Sequence, residues 1–241
     1  MLTYYQYIVY LLLIGYGVHI MTLLKDKAPI KRRSKGEQTR NQILNAAIVV
    51  LARQGIKGTT HRAIATEAQL QLSLTTYYFK DIQELVHEAF MLSSTKTISR
   101  AGAAWLPALE MLDSFTKTQL KKLSTRQEIA INLIDMATLY LVNKIKNCAT
   151  ELAIEQLLFT EIQTTPKLRS LAHAHRDTLL VPFVQLSTYF NPQNPHLDAD
   201  IMLTIFTQIE YRNLVVDADD IDVEYIQQMV QRVIHWIMQI K

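Results

Sequence analysis

A chain of 241 residues that is 49% hydrophobic and 20% charged, with only 6 Gly and 6 Pro, has the make-up of one large or two small globular domains with few loops, and not of a disordered or fibrous protein. Its single cysteine, Cys148, excludes an intramolecular disulfide framework and a cysteine-based zinc site, and fits a reducing compartment and a small apolar core position. The formal charge of +3 is unevenly spread, because residues 21–100 hold 13 Lys and Arg against 6 Asp and Glu while residues 101–241 hold 12 against 16.

In chain order, residues 2–24 come first (LTYYQYIVYLLLIGYGVHIMTLL). They contain no Asp, Glu, Lys or Arg, are long enough to span a bilayer, and precede a basic run that would stay cytoplasmic under the positive-inside rule. A signal peptide is disfavoured, since the charged opening and a small-residue cleavage site are both missing. Two readings stand: a transmembrane anchor, or translation that begins at Met21. The second is preferred because the segment adds nothing the rest of the chain needs, so the expected location is cytoplasmic, with membrane contact only if residues 1–24 are translated. Residues 25–36 form a basic arm in which Arg32, Arg33 and Lys35 would bind phosphates by counterion release.

From Glu37 onward the pattern is helix after helix. Ile43, Leu44, Ala47, Val50 and Leu51 lie at helical spacing and Gly55 ends the run as a C-terminal cap would. Thr59-Thr60 supplies an N-cap for a short helix, His61 to Ala68. A second short helix, Leu72 to Tyr78, follows after three residues, and Asp81 with Glu84 makes a capping box for the next. By propensity LQLSLTTYYFKD (70–81) should be a strand. Two short helices joined by a tight turn, under a longer first helix and behind a basic arm, form a helix-turn-helix over residues 37–80, and this accounts for the strand-formers. The second helix lies in the major groove, so its exposed face needs side chains that reach bases and phosphates more than it needs helix propensity, while packing through Leu70, Phe79 and Thr75 overrides the local preference.

At these residues the chain resembles the TetR family of transcriptional regulators: Arg40-x-x-Ile43-Leu44-x-Ala46-Ala47, Gly55, Thr59-Thr60, Ile64-Ala65-x-x-Ala68 and Thr76-Tyr77-Tyr78-Phe79 before Glu84-Leu85. The resemblance implies an all-α protein with a three-helix DNA-binding domain, followed over residues 81–241 by a larger helical domain that binds an inducer and dimerises. DNA contacts are then expected from Arg32, Arg33 and Lys35 of the arm, from Thr60, His61 and Arg62 at the start of the first short helix, and from Gln71, Leu72, Ser73, Leu74, Thr76, Tyr77, Tyr78 and Lys80 of the second. The chain departs from the family at Gln69, where glycine is usual, which would cost about 1 kcal/mol if the position is left-handed. It departs again at Ile82, where a phosphate-binding lysine is frequent and Lys80 can substitute. Leu72 and Leu74 replace residues that are often polar, shifting recognition toward thymine methyl groups or DNA bending.

The C-terminal portion reads as more helix. The expected elements are Thr125 to Lys144 behind a capping box with Glu128, Cys148 to Thr164, Pro166 to Phe190, a loop at 191–195, Leu197 to Val216, and Asp222 to Ile240. Stripes on the last two, Ile201, Ile205 and Ile209 on one and Ile226, Met229, Val233 and Ile237 on the other, are dimer helices in the resemblance, although the stripes fit intrachain core equally well. Candidate pocket residues are Trp105, Met111, Phe115, Met136, Tyr140, Phe159 and Phe183, with Gln156 or Glu155 as polar anchors. His173 and His175 stand about 200° apart on a helix and cannot easily share a metal ion. With no phosphate-cradling glycine loop or nucleophile elbow, an enzyme is disfavoured and no cofactor is expected. The function expected is a dimeric regulator that binds a near-palindromic double-stranded DNA operator and is released by a small-molecule inducer.

Overall fold

The computed structural model describes residues 35–161 and 166–240. The apolar segment 1–24, with its membrane-anchor reading, and Arg32 and Arg33 of the basic arm lie outside the described residues. Among the described residues the structure is helical without a strand, and no helix is long and apolar enough to cross a membrane. The described residues divide between Gln42 and Ile43 into two units. The described part of the first is the opening of helix α1 (Lys35–Gly58), where Thr39 donates to the Lys35 carbonyl at 3.0 Å and Lys35 itself is exposed.

In the second unit α1 buries Ile43, Leu44, Ala46, Ala47, Ile48, Val50 and Leu51. Its regular path breaks at Gly55, whose φ of 66° is the left-handed conformation a glycine adopts most readily. Helices α2 (His61–Glu67) and α3 (Leu72–Tyr78) begin where the sequence places them. Thr60 caps α2 by accepting the Ala63 N–H at 3.1 Å, and buried Thr59 donates to the Gly55 carbonyl at 2.8 Å. The turn between α2 and α3 passes through Gln69 at φ 54°, so the residue that replaces glycine does sit in left-handed backbone. The core beneath these helices takes in Ile64, Phe79, Leu85 and Phe90 and continues into Ile154, Leu158 and Leu171.

Helix α4 (Ile82–Asp113) runs for 32 residues, because Ala101, Trp105, Ala108 and Leu112 extend the buried stripe begun by Leu85, Ala89 and Phe90. Asp81 caps α4 through the Gln83 N–H at 2.9 Å and not through a box with Glu84. A true capping box forms instead between Thr116 and Gln119 and opens the short α5 (Lys117–Leu120). Helix α6 (Leu123–Asn147) starts before Thr125, which therefore lies inside the helix and caps nothing. Then come α7 (Ala149–Glu161), a 3-10 turn at Pro166–Leu168, α8 (Arg169–Phe190), α9 (Pro195–Arg212) with proline in its first turn, and α10 (Val223–Ile237), capped by Asp222. Leu133, Leu141, Phe183, Met202, Phe206, Ile209, Val230 and Ile234 meet in a second core.

Charge is buried between these cores. The Lys144 ammonium, 4% exposed on α6, lies 2.7 Å from the Glu210 carboxylate of α9 and 3.5 Å from that of Glu155 on α7. Glu155 also lies 3.3 Å from His175 Nε2 on α8, and His175 Nδ1 is 2.7 Å from the Ser94 hydroxyl on α4. Burial alone would lower the Lys144 pKa, but Glu210 and Glu155 outweigh it and hold the ammonium above the ordinary lysine range. One ammonium cannot serve two buried carboxylates equally. Burial would raise the Glu155 carboxyl, yet Lys144 and then His175 keep it below its usual range, whereas burial, reinforced by the charge of Glu155, pushes Glu210 up to about 7 despite Lys144.

Three outcomes are expected. Gln69→Gly should raise stability by about 0.5–1 kcal/mol in urea denaturation by relieving the left-handed side chain, and an unchanged midpoint would show that the turn carries no such strain. Lys144→Met should cost about 3–5 kcal/mol, because it leaves two buried carboxylates without their cation, and a loss under 1 kcal/mol would mean that the network is hydrated and weak. The raised Glu210 pKa contributes stability that is complete below 4.5 and lost as pH rises through about 7. The urea midpoint should therefore fall across that interval and flatten in Glu210→Gln, while the lowered pKa of Glu155 acts in the opposite sense, its contribution present above 4.5 and lost on acidification.

Candidate functional site

The α2-turn-α3 unit sorts its side chains cleanly. Thr75 is fully buried, donating to the Leu72 carbonyl at 2.8 Å and reaching the His61 carbonyl at 3.5 Å, and Phe79 closes the core below it. Gln71, Leu72, Ser73, Thr76, Tyr77 and Lys80 are exposed, as are Thr60 and Arg62 at the start of α2. Tyr77 is 75% exposed and meets Tyr78 edge-on at 5.1 Å, while Thr76 folds its hydroxyl onto the Ser73 carbonyl at 3.1 Å. Leu74 and His61 are half-buried. So is Tyr78, which packs on the core around Phe79, so its role is at least partly structural. What remains is a short helix presenting apolar, hydroxyl and aromatic groups with cations at Arg62 and Lys80, a set suited to thymine methyl groups, base edges and phosphates.

The second candidate site lies inside the larger bundle. Trp105, Phe183 and Phe206 form an aromatic cluster, with ring centroids 5.0 Å apart for Trp105 and Phe183 and 6.0 Å for Trp105 and Phe206, and Tyr140 stands 6.0 Å from Trp105. These rings and the carboxylates of Glu155 and Glu210 surround a cavity of about 20 Å³, so the aromatic wall is tightly closed. Burial pushes the Tyr140 hydroxyl up to about 12, Lys144 opposing it. Of the candidate pocket residues, Trp105, Tyr140 and Phe183 line this cavity, with Glu155 as the anchor, whereas Gln156 is exposed. Phe159 belongs to the other core, 6.0 Å from the His175 ring, and Met111, Phe115 and Met136 pack on the bundle core without lining the cavity. Sequence reasoning did not select Lys144, Glu210, Ser94 or the contacts of His175 with Glu155 and Ser94. The available signal was charge inside a buried stripe, Lys144 three residues after Leu141 and Glu210 beside Ile209.

The expected dimer stripes are largely internal. Ile209, Ile226, Val233 and Ile237 are buried in the chain's own core, since α10 packs its apolar face on α6; Ile201, Ile205 and Met229 are half-buried. The outward faces of α9 and α10 carry instead Leu197, Thr204, Gln208, Gln228 and Trp236, the last 58% exposed.

Residues 43–89 match the family model described as bacterial regulatory proteins, tetR family. No curated protein matches the chain. Among solved structures, a TetR-family transcriptional regulator from Mesorhizobium loti superposes with a TM-score of 0.60 at 15% identity, covering 86% of this chain and 98% of its own. Salmonella enterica GusR gives 0.60 at 12% identity, covering 86% and 99%, and a transcriptional regulator from Saccharomonospora viridis, in complex with choline, gives 0.60 at 16%, covering 81% and 95%. Residues 43–89 thus carry the match to the tetR-family regulatory model, and the all-α fold is that of solved TetR-family transcriptional regulators.

Proposed function

We propose that this chain is a sequence-specific DNA-binding regulator that acts as a two-fold dimer on a near-palindromic operator and is released when a small molecule enters the larger helical bundle. The observation that carries the reading is the exposed face of α3, which holds Leu72, Ser73, Thr76 and Tyr77 outward while Thr75 and Phe79 hold the helix down. A dimer with two-fold symmetry would present two such helices to an operator of matching symmetry. Because four of the striped residues on α9 and α10 are core, we place the partner surface on the edge formed by half-buried Ile201 and Ile205 and exposed Trp236.

Release is supported by the course of α4. The same helix carries Leu85 in the core beneath the helix-turn-helix and Trp105 at the aromatic cavity, about 30 Å apart at 1.5 Å per residue. A molecule that opens the closed cavity must displace Trp105 or its neighbours, and about 3 kcal/mol of differential affinity between two positions of α4 would weaken DNA binding roughly a hundredfold. The choline complex of the Saccharomonospora viridis regulator shows a small molecule bound to a protein of this fold.

Binding to DNA fragments selected from a random pool is the direct test. Tyr77→Ala and Thr76→Ala should weaken operator binding by about 1–3 kcal/mol for each base that is no longer read, with melting unchanged, whereas Tyr78→Ala should also lower the melting temperature. Tyr77→Ala binding the selected sequence at wild-type affinity would sink the recognition role of α3. Neutralising Arg32, Arg33 and Lys35 should weaken binding to all sequences and reduce the salt slope by about 1 for each phosphate left without its cation. Trp236→Glu with Ile205→Glu should yield folded monomers in light scattering, and a persistent dimer would move the interface elsewhere.

A further inference from the structure

We propose that a cleft at the far end of the bundle from the helix-turn-helix binds a small carboxylate with an apolar body. The cleft, about 730 Å³, opens where the end of α4, the short α5, the start of α6 and the end of α8 converge, and it shares no lining residue with the aromatic cavity. Its size is that of sites for small organic ligands. Phe115, Leu120 and Phe190 make an apolar floor, and three cations, Lys117, Lys121 and Arg126, line it against one carboxylate, Asp113, which already accepts the Tyr189 hydroxyl proton.

Arg126 selects the ligand class. Its Nε donates to the Leu120 carbonyl at 2.6 Å, its Nη1 donates to the Met238 carbonyl at 2.9 Å, and its guanidinium stands 5.9 Å from the centre of the Phe190 ring. These interactions pin the group before any ligand arrives and spend two of its five N–H donors, leaving the Nη2 amine with both hydrogens unspent. Among the described residues no carboxylate lies within ion-pair range of it. A half-buried guanidinium held by neutral carbonyls alone keeps its full charge for an incoming anion, and a carboxylate accepts guanidinium N–H bonds in the geometry this group presents. Exposed Lys117 and Lys121 would close over the anion from solvent while the apolar body rests on Phe115 and Phe190. A phosphate without an apolar body would leave that floor wet, and an apolar cation would meet three like charges.

The site does not rest on release from DNA, so it is tested on the full chain without DNA. Isothermal titration with decanoate, decanol, decyltrimethylammonium and inorganic phosphate, all below micelle-forming concentrations, should show one decanoate per chain and at least about tenfold weaker binding of the other three. Arg126→Gln should weaken decanoate about tenfold or more. Since its bonds to backbone carbonyls could also serve folding, the exposed pair Lys117→Gln with Lys121→Gln provides a second variant, expected to retain the fold by circular dichroism and to weaken binding about threefold with a flatter salt dependence. Decanol binding as tightly as decanoate, or wild-type affinity in the folded lysine double variant, would overturn the proposal. Binding that survives these changes but disappears in Trp105→Leu would overturn it as well, placing the molecule in the aromatic cavity.

Discussion

The larger bundle is organised around the buried ammonium of Lys144. Lys144 reaches Glu210 and Glu155, Glu155 reaches His175 and His175 reaches Ser94, so one chain of charged and polar groups ties α6, α9, α7, α8 and α4 together at the level where the two apolar cores meet. Hydrophobic packing tolerates many arrangements of similar volume, whereas an ammonium and two carboxylates shielded from water tolerate very few. The bundle is thereby held in a register in which the aromatic cavity beside the network is nearly closed. The same arrangement makes the interior sensitive to protons, because two carboxylates that share one ammonium divide into a strong acid and a weak one.

The helix-turn-helix solves a different problem. Its last helix must expose side chains for another molecule and still remain a helix, although seven residues lie far below the length at which a helix is stable alone. Tertiary packing settles the matter, with Thr75 hydrogen-bonded and fully buried, Phe79 in the core and Tyr78 half in it. Strand-forming residues are tolerated because packing, and not intrinsic preference, holds the backbone. Strain is tolerated at Gln69 on the same ground, since the turn geometry is imposed by the two helices it joins.

These two regions are joined by more than one path. Helix α4 is continuous from Ile82 to Asp113, and Ile154, Leu158 and Leu171 of α7 and α8 enter the core beneath the recognition helix. Packed contacts therefore run from the aromatic cavity to the helix-turn-helix along α4, and along α7 and α8 by way of Glu155 and His175.

Much of this was legible in the residues. Gly55 as a helix stop, Thr60 as a cap and the limits of α2 and α3 follow from local chemistry, which acts over a few residues and leaves its mark at fixed spacings. The helical character of the rest also follows from the period of its apolar residues. That period could not say what each stripe faces: Ile209, Ile226, Val233 and Ile237 are intrachain core because α9 and α10 fold back onto α6, a pairing between residues far apart in the chain. Nor could it foresee that Lys144, Glu155, His175, Glu210 and Ser94 would meet, since each is ordinary alone and five separate helices bring them together. The sequence by itself determined which segments are helical and where the recognition unit lies, because those rest on neighbours in the chain; only the tertiary structure decided the partners of the buried charges, the closure of the cavity and the unspent donors of Arg126, because those rest on neighbours in space.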